Sequence, residues 1–202
     1  APNKELVAAL WAADEFDIQR SQEPSIYQTT DFAGVSDRID PENFHHGDYD
    51  EILRELIRLT LVMEAPIAVD LLVLRMARAH DFKRTGRLIR ERVLALVDDH
   101  FHLREDLISG SFVWLDADGP GEMSSFRIPS EGEVARSIED IPSEEIQAAA
   151  IHAGAACSSV EIARTFGVKR LTMPGKERIE RAIELLMDRR SSHDSCTPAR
   201  HH

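Results

Sequence analysis

Cysteine, aromatic side chains and long apolar runs are all scarce in this sequence, and each scarcity closes off a class of protein. Two cysteines, Cys157 and Cys196, are too few for a disulfide scaffold, and no Cys-x-x-Cys occurs. A reducing, cytoplasmic setting is therefore expected. No apolar stretch approaches the roughly 18–20 residues of a membrane span. The first ten residues lack the basic-then-apolar order of a secretory signal. Aromatic residues make up only 6 % of the chain, so few rings are available to stack nucleic-acid bases. Phe112 and Trp114 are read as core residues instead.

Catalytic signatures are missing as well. There is no Gly-x-Ser-x-Gly, no Walker loop and no Rossmann fingerprint. No nucleophile or acid–base constellation is legible. A non-enzyme is expected, without cofactor. The nine histidines invite a metal reading, but none has a partner at zinc-finger or His-Glu-x-x-His spacing. His45 and His46 are adjacent, His100 and His102 are read as sharing a strand face, and His201-His202 resembles a tag. Asp116 and Asp118 look like the start of a calcium loop that lacks its twelfth-position Glu. Cys157 sits near a helix start, where thiols become reactive; beside Ala155-Ala156 it reads as a small core residue. No metal site is expected.

What remains is a 202-residue chain with 43 % hydrophobic and 30 % charged residues, the proportions of a folded protein rather than a disordered one. Its net charge of −12 is unevenly spread. Residues 1–50 hold eleven acidic residues against three basic, a local charge of −8. Between Arg75 and Arg92 seven basic residues (Arg75, Arg78, Lys83, Arg84, Arg87, Arg90, Arg92) face only Asp81 and Glu91, a local charge of +5. Local patches of this kind, not the mean, select partners.

Periodicity divides the chain. Residues 4–15 fit a short helix with Leu6, Val7, Leu10 and Trp11 on one face. Residues 1–47 otherwise read as an acidic arm, pinned to the body by Tyr27, Phe32 and Phe44. Helical spacing of apolar residues predicts helices over about 48–64, 69–80 and 85–98. Asp48 is the expected cap of the first, and Pro66 is expected in the first turn of the second. Two-residue alternation through Phe101, Leu103, Phe112 and Trp114 around Ser109-Gly110 predicts a β-hairpin. Three helices followed by a hairpin is the order of a winged helix, assigned to 48–116. Residues 117–141, rich in Gly and Asp at their start, read as a linker. Helices are predicted again over about 143–153, 159–166 and 174–189, a degenerate helix–turn–helix unit over 142–190 with Ser143 as its first cap. A flexible tail follows over 191–202. The expected fold class is mainly α with a small β-hairpin, in tandem winged-helix or helix–turn–helix-like units.

The two halves repeat. Leu74–Arg84 aligns with Val160–Arg170 at a constant offset of 86, sharing Ala-Arg and an apolar residue before Lys-Arg. The repeat is expected to continue to a glycine, Gly86 and Gly175, with extra residues in the second copy. Each copy leads into a basic amphipathic helix. Ala77 and Ala163 would let helices cross closely, and the glycines would free the backbone.

Three stretches carry a resemblance to a known family: Glu64-Ala65-Pro66-Ile67 leading into Phe82-Lys83-Arg84-Thr85-Gly86-Arg87-Leu88-Ile89; Arg136–Ile146 with its Ile141-Pro142-Ser143-Glu144-Glu145-Ile146 helix start; and the second Lys169-Arg170 unit. Over roughly 49–187 they resemble a C-terminal domain of unknown function in very large bacterial proteins that join a superfamily I helicase-like ATPase to a Vsr-like endonuclease domain. The resemblance implies a non-catalytic accessory module at the end of a DNA- or RNA-processing protein. Departure from the pattern at 171–174 sets the second copy apart.

Nucleic-acid contact is expected at Lys83, Arg84, Arg87 and Arg90, at the wing around Arg104–Gly110, and at Lys169, Arg170 and Lys176. The acidic arm is expected to cover the basic face, so that deleting 1–47 would raise DNA affinity. The competing reading is a scaffold that docks helicase or nuclease domains of a parent protein, or a second copy, through the same fold.

Overall fold

The computed structural model describes residues 24–115, 125–132, 135–154 and 157–194. They sort into two compact units, one spanning 27–121 and the other combining 1–26 with 122–202.

In the 27–121 unit, helix α1 (Asp50–Glu64) buries Leu53, Leu56, Ile57 and Leu61, a stripe at three- and four-residue spacing. Asp50 and Glu51 occupy its first turn, where the helix dipole favours negative charge. It stops at Ala65, which is extended ahead of Pro66. The expected cap, Asp48, instead lies in a 3-10 turn over Gly47–Tyr49. Pro66 does not enter the next helix: it precedes strand β2 (Ile67–Ala68), and α2 (Val69–Ala79) begins only after it. Helix α3 (Arg87–His100) and the hairpin of β3 (His102–Glu105) and β4 (Ser111–Trp114) complete the unit. Because His100 is the last residue of α3 and His102 the first of β3, they do not share a strand face. The sheet order is β2-β4-β3, with Ile67 opposite Val113 and Leu103 opposite Val113 from the other side. The three helices pack on one another around Leu53, Leu56, Ile57, Leu72, Val73, Met76, Val93 and Val97.

Residues 27–47, expected as an arm, belong to this unit. Tyr27 is buried and Phe44 wholly so, its ring edge-on to His80 and Phe82. His80 is itself buried, bridging the Met76 carbonyl at 2.7 Å and the Tyr49 hydroxyl at 3.0 Å. Burial pushes its imidazole below the ordinary value. Deleting 1–47 would thus remove part of the core rather than uncover a surface. The predicted helix over 4–15 lies outside the described residues.

In the other unit, α4 (Ser143–Ala153), α5 (Ser159–Thr165) and α6 (Met173–Asp194) pack mutually. Ser143 is the first helical residue, with Pro142 in the capping position. Ser158 and Glu161 form a reciprocal capping box on α5. A strand pair, β1 (Ser25–Tyr27) with β5 (Arg127–Pro129), joins at Ser25, whose N–H donates to the Phe126 carbonyl. The supposed linker is structured where described: Phe126, Ile138 and Ile141 are buried, and Ile138–Asp140 forms a 3-10 turn. Helix α6 runs to Asp194, past the expected start of the tail; 195–202 lie outside the described residues.

Each unit is closed by one buried carboxylate. Glu64 accepts hydrogen bonds from the Tyr27 hydroxyl, the Thr30 N–H (3.0 Å) and hydroxyl (2.8 Å), and the Arg75 guanidinium (3.0 Å). Glu145 accepts from the Arg127 N–H (2.7 Å), the Arg127 guanidinium (2.9 Å) and Arg136 (3.0 Å). These bonds hold the segments before or between the helices in place. Burial alone would raise both carboxyl pKa values. At Glu64 the bonds from Arg75, Tyr27 and Thr30 outweigh it, and at Glu145 the charges of Arg136 and Arg127 do, so both lie below the ordinary range. Tyr27, desolvated and facing Glu64, is pushed up to about 12.

Candidate nucleic-acid interface

The sequence repeat is a backbone repeat. Helix α2 ends at Ala79 and α5 at Thr165, positions 86 apart. Asp81 and Gly167 both take positive φ, 57° and 76°. The Asp81 N–H donates to the Arg78 carbonyl and the Gly167 N–H to that of Arg164. The Phe82 N–H reaches the Ala77 carbonyl at 2.9 Å and the Val168 N–H that of Ala163 at 2.9 Å. This pair of bonds is a Schellman stop. It explains the shared residues: Ala77 and Ala163 sit in the buried last turn, and Phe82 and Val168 are the apolar residues that follow the left-handed position.

The register holds beyond the turn. The Arg90 N–H donates to the Gly86 carbonyl at the start of α3, and the Lys176 N–H to the Thr172 carbonyl at the start of α6, again 86 apart. Thr172 also accepts the Gly175 N–H on its hydroxyl at 3.1 Å, as a helix cap does. Two expectations fall together here. The second copy contains no extra residues, and the counterpart of Gly86 is Thr172, not Gly175. Gly175 lies buried within the first turn of α6, where a Cβ would meet Thr172 Oγ1 at 3.1 Å, Leu171 Cδ1 at 3.2 Å and Ile138 Cβ at 3.4 Å. Its role is close approach, not backbone freedom.

The corrected register also sorts the arginines. Arg92 and Arg178 are counterparts, and both turn inward. Arg92 donates to the Phe44 and His46 carbonyls and pairs with Asp50; Arg178 donates to the Ile141 carbonyl. Each ties the third helix to the chain just ahead of the first. Arg75 is committed to Glu64. The +5 segment is therefore less cationic outwardly than its sequence.

Besides Arg78 and Arg164, exposed in the last turns of α2 and α5, the cations left outside are those at the turn and the first turn of each third helix. Lys83, Arg84, Lys169 and Arg170 are exposed, and none has a carboxylate partner among the described residues. Arg90 and Lys176, also counterparts, expose 45 % and 47 % of their side chains and pair with Asp70 and Glu180 respectively. Arg87 pairs with Glu91 at 2.7 Å, with no cationic counterpart at Met173. These pairs are solvent-facing, contribute little to stability and exchange readily for another anion. Arg104 is different: its guanidinium lies 6.0 Å from the Trp114 ring centroid. The hairpin tip is folded on the Asp106 carboxylate, which accepts the Ile108 N–H at 2.9 Å.

Helix polarity sharpens the picture. Helices α1, α2, α4 and α5 all carry acidic residues in their first turns, as the dipole favours. Helices α3 and α6 carry none; Arg87, Arg90 and Lys176 stand there instead. A cation at the positive helix end is unfavourable by a few tenths to about 1 kcal/mol, whereas a bound anion is favoured by both.

Among the described residues, no three His, Cys, Asp or Glu side chains gather as a metal ion would need. Cys157 is half-buried, and desolvation followed by the charge of Glu161 pushes its thiol up. No described helix is long and apolar enough to cross a membrane.

Residues 42–91, about a quarter of the chain, match the model of a family described as a protein of unknown function, DUF3320. The match runs from just before α1 into the first turns of α3 and includes Lys83, Arg84, Arg87 and Arg90. Neither the curated proteins nor the solved structures yield a match.

Proposed function

We propose that this chain is a non-catalytic accessory module that binds nucleic acid through the basic turn and third helix of its 27–121 unit. The supporting observation is the placement of Lys83, Arg84, Arg87 and Arg90 at an exposed helix start that the dipole makes receptive to phosphate. Helix, strand, helix, helix, strand, strand, with the first strand pairing with the last, is a winged-helix order. On this reading α3 is the recognition helix. The hairpin is the wing, with Arg104 as its contact. The resemblance further suggests that the module serves a large helicase-like and Vsr-like endonuclease protein, and the scarcity of cysteine suits a reducing compartment.

The test is binding to single- and double-stranded DNA and RNA titrated with salt. Each phosphate contact contributes about 0.9 to the slope of log affinity against log salt on duplex DNA. The variant Lys83→Ala/Arg84→Ala/Arg87→Ala should lower that slope by about 2 to 3 and keep its fold. Equally negligible binding by native and variant chains would discard the reading.

One observation favours protein docking instead. Leu88, beside Arg87 on the same exposed turn, is 61 % exposed. In that alternative Leu88 anchors another domain and the arginines form its charged rim.

A further inference from the structure

We infer that the second unit carries its own nucleic-acid phosphate site, formed by Lys169, Arg170 and Lys176. The inference rests on the reading of the first unit as a nucleic-acid binder, and it reverses the expectation that the second copy is degenerate. The apparent departure at 171–174 arises only if Gly175 is aligned with Gly86. In the register that the hydrogen bonds define, the two turns have equal length and a left-handed residue, Asp81 or Gly167, at the same position. The helix after each begins at the same place.

In that register Lys83, Arg84 and Arg90 fall on Lys169, Arg170 and Lys176 without a gap. All six side chains are exposed, and the third member of each set is exposed to nearly the same degree, 45 % and 47 %. A repeat kept for folding alone needs the alanine, the left-handed residue, the apolar residue after it and the inward arginine. It does not need three outward cations in the same places.

Helix α6, like α3, lacks an acidic residue of its own in its first turn and has Lys176 there, while α4 and α5 of the same unit follow the dipole rule; the nearest carboxylate is Glu139, which accepts from the Thr172 hydroxyl at 3.3 Å and which a phosphate would displace. Acidic residues appear on α6 only from Glu177 onward, including Glu180 and Glu184 on its exposed side. Lys169, Arg170 and Lys176 thus gather at the turn and the start of the helix, ahead of the ion-paired Arg181 further along it. A phosphodiester backbone fits that arrangement, since it presents anions without requiring base-specific contacts. The ligand we assign is duplex DNA, held by its phosphates.

Four versions of this 202-residue chain distinguish the outcomes on one DNA duplex several helical turns long: the native chain; Lys83→Ala/Arg84→Ala/Arg90→Ala; Lys169→Ala/Arg170→Ala/Lys176→Ala; and the sixfold variant. Each triple variant should lower the salt slope by up to about 2.7, and the sixfold variant by about twice that. Circular dichroism should show unchanged helix content, because all six positions are exposed. The single reversals Lys83→Glu and Lys169→Glu repeat the comparison with one side chain altered. If the first triple variant loses slope while the second, and Lys169→Glu, bind as the native chain does, the second unit is a structural repeat only. The proposed function then stands without this inference. If only the second set matters, the inference holds and the first-unit reading falls. If the native chain does not bind, both are overturned.

Discussion

Asp81 holds a left-handed backbone at φ 57°, where the second unit has Gly167 at φ 76°. An L side chain in that region costs roughly 1–2 kcal/mol, less for Asp because its carboxylate can bond locally. Asp81→Gly should relieve that strain. Part of the gain is offset by the freedom Gly adds to the unfolded chain, leaving a net stabilisation of about 0.5 kcal/mol. The mirror change has the opposite sign. In Gly167→Ala the new Cβ meets Pro129 Cγ at 2.6 Å and Ala135 Cβ at 3.2 Å, on top of the positive φ. A loss of about 2 kcal/mol or more is expected. Urea midpoints of the two variants check this; a lower midpoint for Asp81→Gly would mean its side chain contributes more than its strain costs. Asp at this position also hid the stop from sequence reading, because glycine is the usual sign of it and Asp81 reads as one more charge in a basic stretch.

At the scale of elements, the start of α3 sets stability against binding. Leu88 is exposed in the first turn between Arg87 and Ile89, and that turn has no acidic residue. Leu88→Glu places a carboxylate where the dipole favours one, which should stabilise the 27–121 unit by about 0.3–1 kcal/mol. The same charge should repel phosphate and weaken nucleic-acid binding severalfold. Thermal melts and nucleic-acid binding curves on one preparation test both halves; unchanged or tighter binding by Leu88→Glu would mean that this turn does not face phosphate. The helices were legible because each carries a repeating apolar stripe of many residues. Ends shifted by a residue or two, and α6 ran five residues further than expected. Strand β2 was not legible: two residues cannot display a period, and Ile67-Ala68 is defined only by its partners Val113 and Phe112. Helical phase and charge single out Lys83, Arg84, Arg87 and Arg90 among the seven cations between Arg75 and Arg92, but not what the remaining three bind. Their sorting depends on distant partners, Glu64 for Arg75 and Phe44, His46 and Asp50 for Arg92.

At the scale of the whole molecule, each unit fixes non-helical chain by long-range bonds, Glu64 to Tyr27 and Thr30, Arg92 to Phe44 and His46, and Glu145 to Arg127 and Arg136, which is why residues 27–47 and much of 125–141 read as arm and linker. Polar, proline-broken sequence carries no periodic signal when long-range bonds fix it. Glu64 and Glu145 both titrate below their unfolded values in the folded protein. The sign follows from proton binding: between the two values the unfolded chain holds more protons than the folded one, so stability rises with pH there. Their contribution is present in full above about pH 4.3, the ordinary value for Glu, and is lost as pH falls through the depressed folded values. Glu145→Gln separates this effect from general acid unfolding. It leaves Arg136 buried without a counter-charge, which should cost about 3–5 kcal/mol at neutral pH. It should also flatten the acid limb of the stability curve, because the group that titrates is gone. Urea midpoints followed by circular dichroism from neutral pH down to about pH 3 would show native and variant curves converging. Parallel curves would mean that the Glu145 cluster does not supply the acid sensitivity, and that the segment from Arg127 to Arg136 is held by its apolar contacts instead.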